Sequence, residues 1–351
     1  MNYENITLEK GMYGTTKGFA GTLEELDPSE NYKGTALEKY DAFQRQLKRF
    51  DIKTAGPGCD TVEKFFSTTS SSALFPEFIS RCVYKGIEDA NCLKDIVAVT
   101  TEIKGMDYRA IISNPNTSQT SLLPVNEGAT IDETTMGIST VPVQLTKKGR
   151  MLTASYEAIR FQKLDVFGVM LRQIGAQIAR SEFAEAVDLI TTGNNAFQPA
   201  TGSNTATNGV LTYADLVDFW NTFSPYEMNT LIVPATHITK LLNMTEFKDT
   251  NAGQSFHGTG RMITPIGAKL IKAPTGESNV IIGLDRSCAI EKITSGGVIT
   301  EYDKLIDKQL ERAVISTITG FARMFPDAAK VLNVTHPVEN NDNSTDVGGE
   351  D

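Results

Sequence analysis

The chain has 351 residues, a formal net charge of -10, 40% hydrophobic residues and 22% charged ones. That length permits a large buried core in two or three compact units, with the composition of an ordinary globular protein. The acidic balance speaks against a sequence-independent DNA binder, which needs a clustered Lys/Arg surface, and its plainest meaning is solubility.

Residues 1–72 are rich in Gly, Thr, Ser and charge. Within them Leu37, Tyr40, Phe43, Leu47 and Phe50 recur at helical spacing and predict one helix over 35–50. Because 54–58 and 67–72 read as linkers, the region is expected to be an arm that finishes folding on a partner. Leu74, Phe75, Phe78, Ile79, Cys82 and Val83 predict a helix over 74–87, with Pro76 tolerated in its first turn. Strand-like segments follow at 96–103 and 108–112. The polar, Pro-interrupted stretch 114–135 suits a long projecting hairpin. It returns through 140–145, where Pro142 argues against a central strand.

A second extended segment covers 149–155. Leu164, Phe167, Leu171, Ile174 and Ile178 then step by three and four, and Phe183, Val187 and Ile190 continue the stripe. This predicts a long helix over 164–190. Gly168 and Gly175 would each cost about 1 kcal/mol against Ala in an exposed helix, so they are expected to be close-packing points. Gly193 is expected to end the helix.

Residues 196–297 read as an α/β unit. A helix opens at 212–215 with Leu216, Phe219 and Trp220 as its core face. A buried strand is expected at 230–233, a short helix at 236–242, a glycine-dotted loop at 248–261, and strands at 269–272, 280–282 and 289–292. Apolar and charged residues mix over 300–307. The stretch 313–322 is strand-rich or mixed, and a last strand ends at 334. The acidic tail 336–351 is expected to be disordered.

Chemistry-bearing constellations are sparse. Cys59, Cys82, Cys92 and Cys288 form no C-x-x-C pair, and His237, His257 and His336 lie far from them. No zinc or redox motif is legible, and buried free thiols in a reducing compartment are expected. No strained-turn nucleophile accompanies His237 or His257, which are expected to be surface or capping residues. Gly258-Thr259-Gly260-Arg261 lacks the rest of a phosphate loop. Glu24-Glu25 and Asp132-Glu133 read as solvated pairs, and Asp303 and Asp307 would share a face only in a helix. The first residues lack a basic region and an apolar core, so no signal peptide is expected in them, and no apolar run reaches the roughly 18 residues of a membrane span. Catalytic, cofactor-binding and metal-ligating residues are therefore all left unassigned, and no enzyme activity is expected.

The order of parts resembles the major capsid proteins of tailed bacteriophages, with the Hong Kong 97-type fold, over about residues 70–335. Leu93-Lys94-Asp95-Ile96-Val97 resembles the strand before the family's extended loop. Glu127-Gly128-Ala129-Thr130 through Arg150-Met151-Leu152-Thr153-Ala154-Ser155 resembles the loop's return. Thr230-Leu231-Ile232-Val233-Pro234-Ala235-Thr236 is similar to the axial strand and helix, and Gly267-Ala268-Lys269-Leu270-Ile271 with Val280-Ile281-Ile282-Gly283-Leu284 resembles its glycine-turned strand pair.

The resemblance implies an α+β fold: an arm at 1–73, a peripheral domain from 74–103, 151–195 and 298–335, an extended loop at 104–150, an axial domain at 196–297, and the tail at 336–351. The helix over 164–190 would be the spine. Lys248, Asn251, Phe256, His257 and Arg261 become candidates for the capsomer axis, and Pro124, Glu127, Ile131 and Met136 for extended-loop contacts with a neighbour. Implied partners are further copies, in pentamers and hexamers of an icosahedral shell, with a separate scaffold, a portal and room for a decoration protein. The shell would enclose DNA without sequence-specific binding and touch no membrane. Its expected location is the virion, after assembly in the host cytoplasm. In the family's type member a loop lysine forms a covalent bond to a neighbour; here no lysine lies between Lys104 and Lys147, so a non-covalent lattice is expected. The short N-terminal region is expected to be retained rather than cleaved. An encapsulin-like cargo compartment and, more remotely, an α/β hydrolase or transferase are the alternatives.

Overall fold

The computed structural model describes residues 3–15, 17–112, 124–128, 137–155, 161–248, 262–273, 280–305 and 310–336. Two five-stranded sheets and one long helix organise them.

The described residues up to Ser72 fold on the chain itself. Helix α1 is Gly18–Leu26, α2 is Ala42–Arg49, and the single turn α3 is Thr69–Ser72, inside a stretch expected to be a linker. The expected helix over 35–50 starts late because Asp41 caps it. The Asp41 carboxylate accepts from the Gln44 amide at 2.7 Å, and the Gln44 side chain accepts from the Asp41 amide at 3.1 Å. Arg45 is fully buried, with Nε donating to Asp27 at 2.5 Å and its guanidinium 4.2 Å from the centre of the Tyr32 ring. Tyr32 donates to the same carboxylate at 2.6 Å; burial, then that bond, pushes its phenol up to about 12. A buried ion pair of this kind must be fully hydrogen-bonded to persist, and this one is.

Helix α4, Phe75–Asp89, lies against the long helix α5, Leu164–Thr191. Their backbones touch. A Cβ added to Gly86 would sit 2.0 Å from the Arg172 carbonyl, and one added to Gly175 would sit 2.1 Å from the Val83 carbonyl. Gly175 is therefore the close-packing point expected from its place in the stripe. A Cβ at Gly168 would meet only side chains at ordinary contact, the Cys82 sulfur at 3.6 Å and the Phe78 ring at 3.9 Å. After Thr192, Gly193 ends the helix with a φ of 71°.

Strands β1 (Val97–Ile103), β2 (Asp107–Tyr108) and β3 (Ile111–Ile112) precede the segment 113–136, and β4 (Gly137–Ile138), β5 (Val143–Gln144) and β6 (Thr146–Ser155) follow it. The β2/β5 and β3/β4 pairs are antiparallel, as the expected hairpin requires. In the remaining chain β7 is Thr201–Asn204, α6 is Tyr213–Asn221, β8 is Thr230–Val233, α7 is Ala235–Leu242 and α8 is Thr245–Lys248. Strands β9 to β14 are Lys269–Lys272, Val280–Leu284, Ile290–Ser295, Ile299–Leu305, Leu310–Arg323 and Ala329–Asn333.

The first sheet runs β1-β11-β13-β12, with β6 on the opposite edge of β13. The second runs β7-β14-β10-β8-β9. Two strands thus change company relative to the sequence reading. β11, expected with the unit over 196–297, pairs in parallel with β1; β14, expected in the peripheral part, pairs with β10 and β7. Pairing is decided by what lies alongside in space, which sequence order does not specify. Asp303 lies in strand β12 and not in a helix, and Asp307 is outside the described residues.

All four residues of β8 are buried because both faces of the second sheet are covered. Ile232, Ile271 and Ile282 face a core shared with the C-terminal half of α5 and with Ile293 and Phe321 of the first sheet. Leu231, Val233, Leu270 and Ile281 face the opposite core, under Phe219 and Phe223 of α6 and its flank and Leu241 of α7. Trp220, expected on the α6 core face, is 46% exposed, because the turn of the helix gives that face to Leu216 and Phe219. Of the thiols, Cys59 is buried and Cys82, Cys92 and Cys288 are half-buried, all of them free. Among the described residues no helix is long and apolar enough to cross a membrane.

Candidate functional site

Helix α5 carries more apolar surface than its core consumes. The expected stripe is inward: Leu164 and Leu171 are buried, and Phe167, Ile174 and Ile178 pack against the same cluster. On the other side Val166, Val169 and Met170 are 47%, 56% and 54% exposed. They follow the i, i+3, i+4 pattern, and Gln173 and Gln177 extend the row. Beside them lies β6, whose Arg150 and Leu152 form the other wall of a groove of about 580 Å³. Met151 and Phe161 are also exposed, at 53% and 73%.

A second uncovered patch sits around the short β2/β5 and β3/β4 ladders. Met106, Ile111, Ile138 and Val141 are all exposed there. Met106 and Val141 line a second groove of about 380 Å³ that reaches Asn194 and Asn195 beyond the end of α5.

Buried polar contacts hold these surfaces in place. Glu182 of α5 takes a 2.7 Å bond from Lys292 of β11, and Glu185 pairs with Lys148 of β6. Glu291 of β11 accepts from Tyr108 of the loop root at 2.6 Å and from Thr101 of β1. Burial, then that carboxylate, pushes the Tyr108 phenol up to about 12, so it stays a donor. Arg323 closes the far end, donating to the Gln198 carbonyl at 2.8 Å and to the Pro326 carbonyl, with burial drawing its pKa down. Asp285, between β10 and β11, accepts from Asn229 at 2.8 Å, from the Ser287 hydroxyl at 2.6 Å, and from the Glu227 and Ser287 amides. Burial raises its pKa, but those donors outweigh it and the carboxyl lies below its ordinary range.

The sequence-derived candidates fall unevenly on this frame. Pro124 and Glu127 are exposed, and Lys248 is the exposed last residue of α8. Asn251, Phe256, His257 and Arg261 lie outside the described residues, as do Ile131 and Met136, the Asp132-Glu133 pair, the loop glycines at 258 and 260, and the tail beyond His336. His237, expected at a surface or cap, is buried in α7 with 4% exposure, and neither ring nitrogen has a partner among the described residues. Glu24 is not merely solvated: it accepts from the Ser29 amide at 2.6 Å and from the Ala42 amide at 3.4 Å. The outward row on α5 escaped notice although its signal was present, since a helix apolar on two faces shows both stripes in its spacing. Among the described residues no group of three or more His, Cys, Asp or Glu side chains could hold a metal ion.

Residues 138–296 match the model of a family described as phage capsid protein. No curated protein matches the chain. Among solved structures, the capsid of a native GTA particle is similar with a TM-score of 0.51 and 14% identity, over 68% of this chain and 89% of that one. The capsid of an empty GTA particle gives 0.51 and 14%, over 70% and 90%. Fold and family model point the same way: the chain has the Hong Kong 97-type capsid fold, and its residues 138–296 are similar to the phage capsid protein model.

Proposed function

We propose that the chain is a major capsid protein whose copies tile the icosahedral head shell around double-stranded phage DNA. The observation that carries this reading is the outward apolar row of Val166, Val169 and Met170 on a helix whose core side is already filled. Apolar surface of that kind marks an interface. The exposed apolar residues at the loop root make a second, different patch. Two unlike patches on one chain favour a heterologous contact, which closes into rings such as pentamers and hexamers.

In this reading the first sheet with α4 and α5 is the peripheral part, 104–150 is the extended loop, and the second sheet with α6 and α7 is the axial part. The loop, through Pro124, Glu127, Ile131 and Met136, reaches over a neighbouring copy. The segment from Lys248 to Arg261, with Asn251, Phe256 and His257, lies toward the capsomer axis. A separate scaffold and a portal complete the assembly, which takes place in the host cytoplasm and ends in the virion. The acidic balance keeps the inner wall from gripping packaged DNA. No residue is given a catalytic role.

Negative-stain electron microscopy of the expressed chain tests the reading. Closed shells of uniform diameter are expected. A monomer at high concentration overturns it, and shells that hold an enzyme in place of DNA in the native particle turn it toward a cargo compartment.

A further inference from the structure

Neither α4 nor α5 carries a side-chain cap of its own: their N-cap residues are Leu74 and Lys163, and neither makes a capping hydrogen bond. Several first-turn amides nonetheless find acceptors, and in three cases the acceptor comes from the N-terminal segment. The Glu77 amide donates to the Tyr13 hydroxyl at 2.9 Å, across 64 positions of sequence, while that hydroxyl donates to the Ala73 carbonyl at 2.8 Å. The Leu164 amide donates to the Asp60 carbonyl at 2.9 Å. The Asp165 amide donates to the Cys59 sulfur at 3.2 Å. Helix starts leave such donors orphaned unless something supplies an acceptor.

Apolar packing acts at the same place. Leu8, Phe19, Phe43 and Phe65 share one buried cluster with Phe75 and Leu164. Tyr13 stacks on Phe19 with centroids 4.6 Å apart. Arg81 of α4 bonds to Asp41 at the head of α2 and lies 4.4 Å over the Phe43 ring.

We infer that residues 3–72 are a permanent part of the working subunit: they cap both core helices within the same chain and so fix the first turns of α5, where the outward apolar row begins. The segment is not an arm that waits for a partner, and it is not removed when shells form. Its place in the assembled shell rests on the capsid reading; its capping role stands without it.

Two measurements test the two halves separately. Intact-mass analysis of subunits from purified shells is expected to find the N-terminal segment present, and subunits that begin between residues 60 and 75 overturn the inference. Hydrogen exchange on the full unassembled chain reads the capping role whether or not shells form. Tyr13→Phe keeps the ring and removes the acceptor, so exchange over 75–79 should rise about tenfold, the cost of one unsatisfied amide. Cys59→Ala should do the same at 164–167. In both variants β8 and β10 should keep their wild-type protection. Unchanged exchange at the helix starts in both variants overturns the capping role.

Discussion

At the scale of single residues, buried polar groups make the sharpest expectations. His237 has a pKa lowered by burial and then by Lys240. Its folded value lies below its unfolded one, so the folded state resists protonation. Stability is then fully present above the ordinary histidine value near 6.5 and is lost as pH falls below it. Urea midpoints at pH 7.5 and 5.5 should differ in the wild type, and His237→Phe should shrink that difference. Asp285 and Asp215 act lower on the scale. Hydrogen bonds outweigh burial in both and hold their pKa values down. Their contribution is present above the ordinary carboxylate range and disappears as pH falls through the folded values, so Asp285→Ala should flatten the acid limb of the stability curve below about pH 4. Lys292 depends on Glu182, which is 3% exposed. Removing one member of such a pair strands the other charge, and Glu182→Ala should cost about 3 kcal/mol in urea unfolding.

At the scale of elements, the α4–α5 contact and the outer face of α5 separate stability from assembly. Gly86 and Gly175 allow two backbones to touch, with the nearest carbonyls 2.0 and 2.1 Å from where a Cβ would sit. Backbone cannot yield as a side-chain tip can. Gly175→Ala should cost about 3 kcal/mol or more and lower the yield of folded protein, measurable as a fall in the denaturant midpoint. Met170 lies on the opposite side and is 54% exposed, so Met170→Glu should leave the unfolding midpoint nearly unchanged. The same change should abolish shells under the microscope if that face meets another copy. A variant that assembles normally would take that row out of the interface.

At the scale of the whole molecule, the expected lattice is held without covalent bonds. The loop has no lysine between Lys104 and Lys147. Denaturing electrophoresis of mature particles should therefore show a single subunit band, and a ladder of oligomers would refute the expectation. Stability must then come from many interfaces, each of at least the standard size.

What the sequence by itself determined is what short-range periodicity encodes. The 3.6-residue stripe marked α5 to within one residue of its observed end, and short apolar runs and Pro or Gly punctuation marked β8, β9 and the out-and-back loop. The order of those parts was enough for the capsid resemblance. Only the tertiary structure decided which strands are neighbours, because β11 and β14 find partners far away in sequence. Tertiary contacts also decided that the N-terminal segment folds on its own chain. Its acceptors, Tyr13, Cys59 and Asp60, look unremarkable until α4 and α5 bring their unpaired amides beside them. Periodicity is a property of a local stretch of chain, whereas capping across 64 positions and sheet order are properties of closure in space, and no local pattern records them.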